Sequence, residues 1–304
     1  MKIFKRIIIS FFILVALSIL IGYIYFDRKF TPEKNYLIVK NESGNIKIKW
    51  EDENKSAILL PIHFENDTIK YFIQFDTGSP YTLFYKKAIE NIASIKQNNE
   101  KGKASFKIGN TEIESENFKI IDYGKKVKNN EPKIIGTLGS DILENRKTII
   151  NFKENWLKLN LSETPTLFNG NLFDFNFKKR KIIIPAKLNN ENMKFLYDTG
   201  TSAYELLTSK ENWNQLKLPN SKVTLEKSNS WGRTLTTFTT NTISKIDFGS
   251  TKIPLNQITY VEGYSKTQYY LMKFSGMSGG MLGNKTFLNN AIFIDCKELK
   301  MCIY

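Results

Sequence analysis

Two tetrapeptides carry the residue types that acid–base chemistry needs: Asp76-Thr77-Gly78-Ser79 and Asp198-Thr199-Gly200-Thr201. Each follows an apolar run, so each carboxylate is delivered at a strand end. The glycine permits a tight turn and lets its amide approach the carboxylate. Ser79 and Thr201 offer hydroxyl donors at the next position. A single Asp-Thr-Gly is an ordinary turn, but two at equivalent places form a pair. Brought face to face, Asp76 and Asp198 cannot both ionise easily, because like charges raise one pKa. The pair then holds one proton and titrates as a unit. Its ionised member draws a proton from water, while its protonated member hydrogen-bonds a carbonyl. That is general acid–base hydrolysis with no metal and no covalent intermediate.

The elements that must position these loops recur in order. Ile58-Leu-Leu-Pro61 precedes Tyr71-Phe-Ile-Gln-Phe-Asp76, and Ile182-Ile-Ile-Pro185 precedes Lys194-Phe-Leu-Tyr-Asp198. Phe106–Ile113 then resembles Ile246–Ile253, each a strand, a glycine turn and a strand. Gly136-Thr-Leu-Gly139 matches Gly280-Met-Leu-Gly283, and Thr148–Phe152 matches Ala291–Asp295. Short apolar alternations bounded by Asn, Gly and Lys dominate, which predicts a mainly β chain. Matched blocks in one order argue for an internal duplication, with one lobe over 35–165 and a second over 166–304.

At these residues the chain resembles the pepsin-like aspartic peptidases. The resemblance covers the pattern over 58–304 and implies a bilobal, mainly β fold with a central cleft. It implies that Asp76 and Asp198 are the catalytic pair and that Thr77 and Thr199 interlock the two loops. It also implies that Leu138-Gly139 and Leu282-Gly283 pack beside them. By that resemblance the function is endopeptidase, the partner is a peptide or protein substrate, and no cofactor is needed. With both lobes in one chain, a monomer is competent, unlike single-lobe retropepsins.

The chain departs from the family in its covering hairpin. The family's flap lies in the first lobe, where the Asn91–Lys103 segment is polar and short. The second lobe is longer after its aspartate, and Val223–Phe238 reads as a hairpin with Trp231 near its tip. Either this hairpin is the main flap, or it is a surface hairpin in which Trp231 merely packs; the sequence leaves the two level. The departures point to a compact, bacterial-type or retropepsin-like relative.

Ahead of the duplicated region, residues 7–26 carry no charged side chain. That run is long enough for a helix to cross the hydrocarbon core. Lys2, Lys5 and Arg6 precede it, which predicts a cytoplasmic stub over 1–6 and an exported remainder, periplasmic or extracellular. A cleaved signal peptide is the competing reading, but the run ends Gly-Tyr-Ile-Tyr-Phe, a poor cleavage site. No cysteine follows it, so a lipoprotein is excluded. Residues 27–57 read as a linker or an extra strand.

Of the 304 residues, 41% are hydrophobic, enough to build a core. The net charge of +14 raises nucleic acid as a partner, but the lysines are scattered and form no stripe, so none is expected. The single histidine, His63, sits in an alternating strand pattern, which argues against Ser-His and Cys-His hydrolases. Cys296 and Cys302 fit no metal motif; after export they could pair. Three other classes remain in view. One is a peptide-binding protein of the same fold that has lost turnover. The others are a basic adhesin or assembly factor at the membrane surface, and a nucleic-acid binder. Neither of the last two explains two matched Asp-Thr-Gly loops.

Overall fold

Runs rich in isoleucine, phenylalanine and tyrosine become strands, because branched and aromatic side chains suit a pleated, half-buried surface. The computed structural model describes residues 2–65, 67–124, 131–168, 170–230, 233–249, 251–264 and 277–304. Residues 2–34 form one unit, dominated by helix α1 (Lys2–Lys29). Its Ile3–Lys29 stretch is long and apolar enough to cross a membrane.

Residues 35–304 form the second unit. Its first part contains β1 (Ile58–Ile62), β2 (Tyr71–Phe75), β3 (Leu83–Tyr85), β4 (Lys96–Asn98), β5 (Lys101–Ile108), β6 (Thr111–Ile121) and β7 (Ile134–Leu138). Next come β8 (Lys147–Asn151) and β9 (Trp156–Leu161). The later part contains β10 (Lys181–Leu188), β11 (Glu191–Tyr197), β12 (Leu206–Leu207), β13 (Thr224–Ser230), β14 (Arg233–Asn241), β15 (Gln257–Glu262) and β16 (Gly280–Leu282). The chain closes with β17 (Ala291–Asp295) and β18 (Lys300–Ile303).

The first sheet runs β1-β2-β7-β3-β6-β5-β4, and the second runs β10-β11-β16-β12-β15-β14-β13. The polarities match as well as the order. β2 pairs parallel with β7 and β11 parallel with β16; β3 pairs parallel with β6 and β12 parallel with β15. The remaining pairs along both paths are antiparallel. In each half, therefore, a strand from far along the chain slots between the two strands that flank the Asp-Thr-Gly loop. A third sheet joins the halves: β8 pairs antiparallel with β17, with Ile149 opposite Phe293, and β9 and β18 flank them.

Burial follows from this placement. β2 is buried on both faces, as an interior strand must be, whereas β5 alternates exposed and buried. Beneath the first sheet, Phe84, Phe106 and Phe118 pack with ring centroids 5.1 to 6.0 Å apart. Beneath the second, helix α2 (Lys210–Leu216), capped by the Ser209 side chain, sets Trp213 against Tyr260, which stacks on Phe238. Phe84, Phe106 and Phe118 are fully buried, and each such aromatic contributes about 2–3 kcal/mol.

Three further sequence features have structural counterparts. Between 27 and 57, short strands form at Ile38–Lys40, Ile46–Lys47 and Lys49–Trp50, so that stretch contributes short strands between longer irregular segments. The two cysteines are free and buried. Cys302 stands opposite Phe293, whereas Cys296 packs into the main core. His63 is an exposed residue bridged to Lys107.

Candidate active site

The sheet register builds the site. Leu138 lies opposite Phe75, the residue before Asp76, and Leu282 lies opposite Tyr197, the residue before Asp198. The Asp76 amide donates to the Leu138 carbonyl at 3.0 Å, and the Asp198 amide to the Leu282 carbonyl at 3.0 Å. Both loops thus leave their strands pinned in the same way. Gly139 and Gly283 stand where a side chain has no room. A Cβ on Gly139 would lie 2.3 Å from the Tyr81 carbonyl, and one on Gly283 would lie 2.1 Å from the Thr201 carbonyl.

The two loops interlock through their threonines. The Thr77 amide donates to Thr199 Oγ1 at 2.9 Å, and the Thr199 amide donates to Thr77 Oγ1 at 3.0 Å. Each hydroxyl then donates across to the opposite half, Thr77 to the Tyr197 carbonyl at 3.2 Å and Thr199 to the Phe75 carbonyl at 2.9 Å. Both threonines are fully buried, so these bonds are out of competition with water.

This interlock brings Asp76 and Asp198 together, close enough that each carboxyl shifts the other's titration. Asp76 Oδ1 accepts the amides of Gly78 (2.9 Å) and Ser79 (3.2 Å), and Asp198 Oδ1 accepts that of Gly200 (2.8 Å). The glycines also make room across the pair. A Cβ on Gly78 would sit 2.6 Å from Asp198 Oδ1, and one on Gly200 would sit 2.5 Å from Asp76 Oδ1.

Burial dominates the electrostatics. It pushes Asp76 above the usual carboxylate range, against its amide donors. Burial, and then the Asp76 charge, push Asp198 up to about 8. The arrangement therefore holds a proton on the pair more tightly than on an ordinary carboxylate, and the two carboxyls titrate as a unit. Tyr264 is also raised, chiefly by burial and then by the Asp198 charge.

Ser79 and Thr201 act differently from the expectation. Ser79 Oγ donates to the Tyr81 carbonyl at 2.9 Å, and Thr201 Oγ1 donates to the Asp198 carbonyl at 2.9 Å. Their hydroxyls brace their own loops instead of the carboxylates, Ser79 reaching forward along the chain and Thr201 back. Thr137, at the polar position of its apolar segment, pairs with the Tyr85 hydroxyl at 2.7 Å. The second-half hairpin forms from β13 and β14, with Ser230 opposite Arg233. Its expected tip residue Trp231 lies outside the described residues.

Several supporting groups went unnoticed in the sequence. Buried Asp141 accepts the Thr82 amide (2.7 Å) and hydroxyl (2.6 Å), holding the chain just beyond the Asp76 loop. In the other half, Asn284 donates to Ser202 Oγ (2.9 Å) and accepts the Tyr197 hydroxyl (2.9 Å). Both follow the Leu-Gly pairs within two residues, in Gly139-Ser140-Asp141 and Gly283-Asn284. A polar residue just after each repeated Leu-Gly was the available signal. Among the described residues no cluster of His, Cys, Asp and Glu could hold a metal ion. No protein-family model matches this chain, and neither does any curated protein sequence.

Proposed function

We propose that this chain is a membrane-anchored aspartic endopeptidase of bilobal, pepsin-like fold, acting as a monomer on peptide or protein substrates. The observation that carries the reading is the shared-proton carboxyl pair, held by threonines that bond reciprocally across two loops of the same design. The matched strand order of the two halves supports the bilobal fold, with the cleft where the loops meet. Helix α1 is the anchor, with residues 1–6 cytoplasmic and the catalytic region exported. The β13–β14 hairpin is the candidate flap, closing over a substrate held as an extended strand.

In the reaction, Asp76 takes a proton from a water lying between the carboxyls. The water oxygen attacks the scissile carbonyl carbon, and Asp198 gives its proton to the carbonyl oxygen. The tetrahedral diol then collapses: a hydroxyl proton returns to the pair, the leaving nitrogen is protonated and the C–N bond breaks. Partial exposure of Asp198 leaves the pair open to reactants.

The test is to incubate the full chain in detergent micelles with a mixed peptide library and read the products by mass spectrometry. Cleavage at internal bonds is expected. A folded chain that cuts nothing from acid to alkaline pH would overturn the reading and favour a peptide-binding protein that has lost turnover.

A further inference from the structure

Arg180 occupies a backbone position where arginine is an unusual choice. It closes the turn into β10 with φ of 59°, directly after Lys179 at 54°. Among the described residues, most other non-glycine residues with positive φ are asparagines, whose short side chains tolerate that region. Arg180 is also only 5% exposed, so solubility does not explain it.

Its contacts do. Nε and Nη2 each lie 3.1 Å from Glu144 Oε2, which fixes the plane of the guanidinium. Nη1 donates to the Pro80 carbonyl at 3.1 Å, and the group sits over the Tyr81 ring. The Arg180 carbonyl accepts Ser140 Oγ at 2.6 Å, and that hydroxyl also reaches the Ser79 carbonyl at 2.9 Å. The Ser140 amide donates to the same Ser79 carbonyl at 2.8 Å. The guanidinium of one residue of the second half thus fastens the Pro80 carbonyl behind the Asp76 loop, while the Ser140 amide holds the neighbouring Ser79 carbonyl.

The other loop is held differently. Ser56 occupies the matching place, two residues before Ile58 as Arg180 is before Ile182, and the Ser202 carbonyl accepts the Lys285 amide. The carboxylates differ in the same sense. Both the Ser79 and Thr201 amides bond the carbonyl of their own aspartate, at 3.2 and 3.1 Å, but the Ser79 amide is shared with Asp76 Oδ1, also at 3.2 Å.

We propose that Arg180 is a positioning residue: by holding the Pro80 carbonyl, next to Ser79, it keeps the Ser79 amide on Asp76 Oδ1. Its importance for turnover rests on the peptidase reading; its effect on the titration of Asp76 does not. Around Asp76 the titrating groups are Asp198 and, from β3, Tyr85; Asp198 in turn faces Tyr197 and Tyr264. Arg180 faces Glu144, Asp141 and Tyr81, over which Lys119 also sits.

The experiment is a carboxyl carbon-13 NMR titration of the full chain in micelles, comparing wild type, Arg180→Met and Arg180→Lys. The Asp76 signal is assigned by its loss in Asp76→Asn, and folding is checked by thermal unfolding. Arg180→Met is expected to make Asp76 titrate about one pH unit higher, because a carboxylate that loses an amide donor holds its proton more tightly. It should also lower kcat about tenfold or more, with KM within twofold, since misplaced groups cost rate more than binding. Arg180→Lys keeps the charge but not the planar fork and should fall between; it carries the test if Arg180→Met does not fold. An unchanged Asp76 titration in a folded variant, or full restoration by lysine, overturns the proposal. A chain that shows the titration change yet cleaves nothing would remove the peptidase reading and leave this one standing.

Discussion

Replacing Thr199 with valine tests whether the interlock holds the site together. Valine has nearly the same shape, so the change removes polarity without opening a cavity. The lost hydroxyl accepts the Thr77 amide and donates to the Phe75 carbonyl, both at 2.9 Å. Thr199 is fully buried, so water cannot replace it. Each orphaned buried group costs about 1–3 kcal/mol, and the pair should destabilise the fold by about 2–5 kcal/mol. Thr199→Ser keeps both bonds and loses one methyl group, worth about 1 kcal/mol. The assay is urea unfolding of the full chain in micelles, followed by tryptophan fluorescence and compared through midpoints at constant slope. The loops should also separate, so kcat should collapse in Thr199→Val and survive in Thr199→Ser. If valine and serine variants unfold within 0.5 kcal/mol of each other and both turn over, the reasoning about the interlock is wrong.

Gly200→Ala should abolish turnover with a modest loss of stability, because the added methyl lands 2.5 Å from Asp76 Oδ1; peptide cleavage and thermal unfolding check both halves of that statement. The rate–pH profile should be bell-shaped and extend through neutral pH. It should fall above about 8, as the pair loses the proton that burial and the Asp76 charge hold on Asp198, and fall in acid as Asp76 is protonated. Asp141, raised by burial to about 6, holds a proton more tightly folded than at its unfolded value of about 3.9. Its contribution, about 3 kcal/mol, is present below pH 4 and lost as pH rises through 6. Unfolding free energies of Asp141→Asn should therefore fall less steeply than wild type over that window.

The parts of this site that repeat were legible in the sequence, and the parts that do not repeat were not. Asp76, Thr77 and Gly78 have visible counterparts in Asp198, Thr199 and Gly200, and the Leu-Gly pairs recur at fixed order. The strands were legible for the same reason: Tyr71–Phe75 and Glu191–Tyr197 carry their apolar pattern locally. What the hydroxyls of Ser79 and Thr201 do depends on turn geometry that residue types alone do not set. Arg180 was invisible because its role rests on a left-handed backbone and on contacts 100 residues away at Pro80. Thr137 stands where the other half has Met281, and only the fold shows that its hydroxyl pairs with Tyr85.

The most direct test of the central claim is cleavage of a defined peptide substrate by wild type, Asp76→Asn and Asp198→Asn, each confirmed as folded. The asparagine amide keeps the size of the side chain but can neither take the proton from water nor share one with its partner. Both variants are expected to lose at least about 1,000-fold in kcat, in line with removing one member of a unit that acts together. If either variant cleaves at a rate near that of wild type, Asp76 and Asp198 are not a catalytic pair.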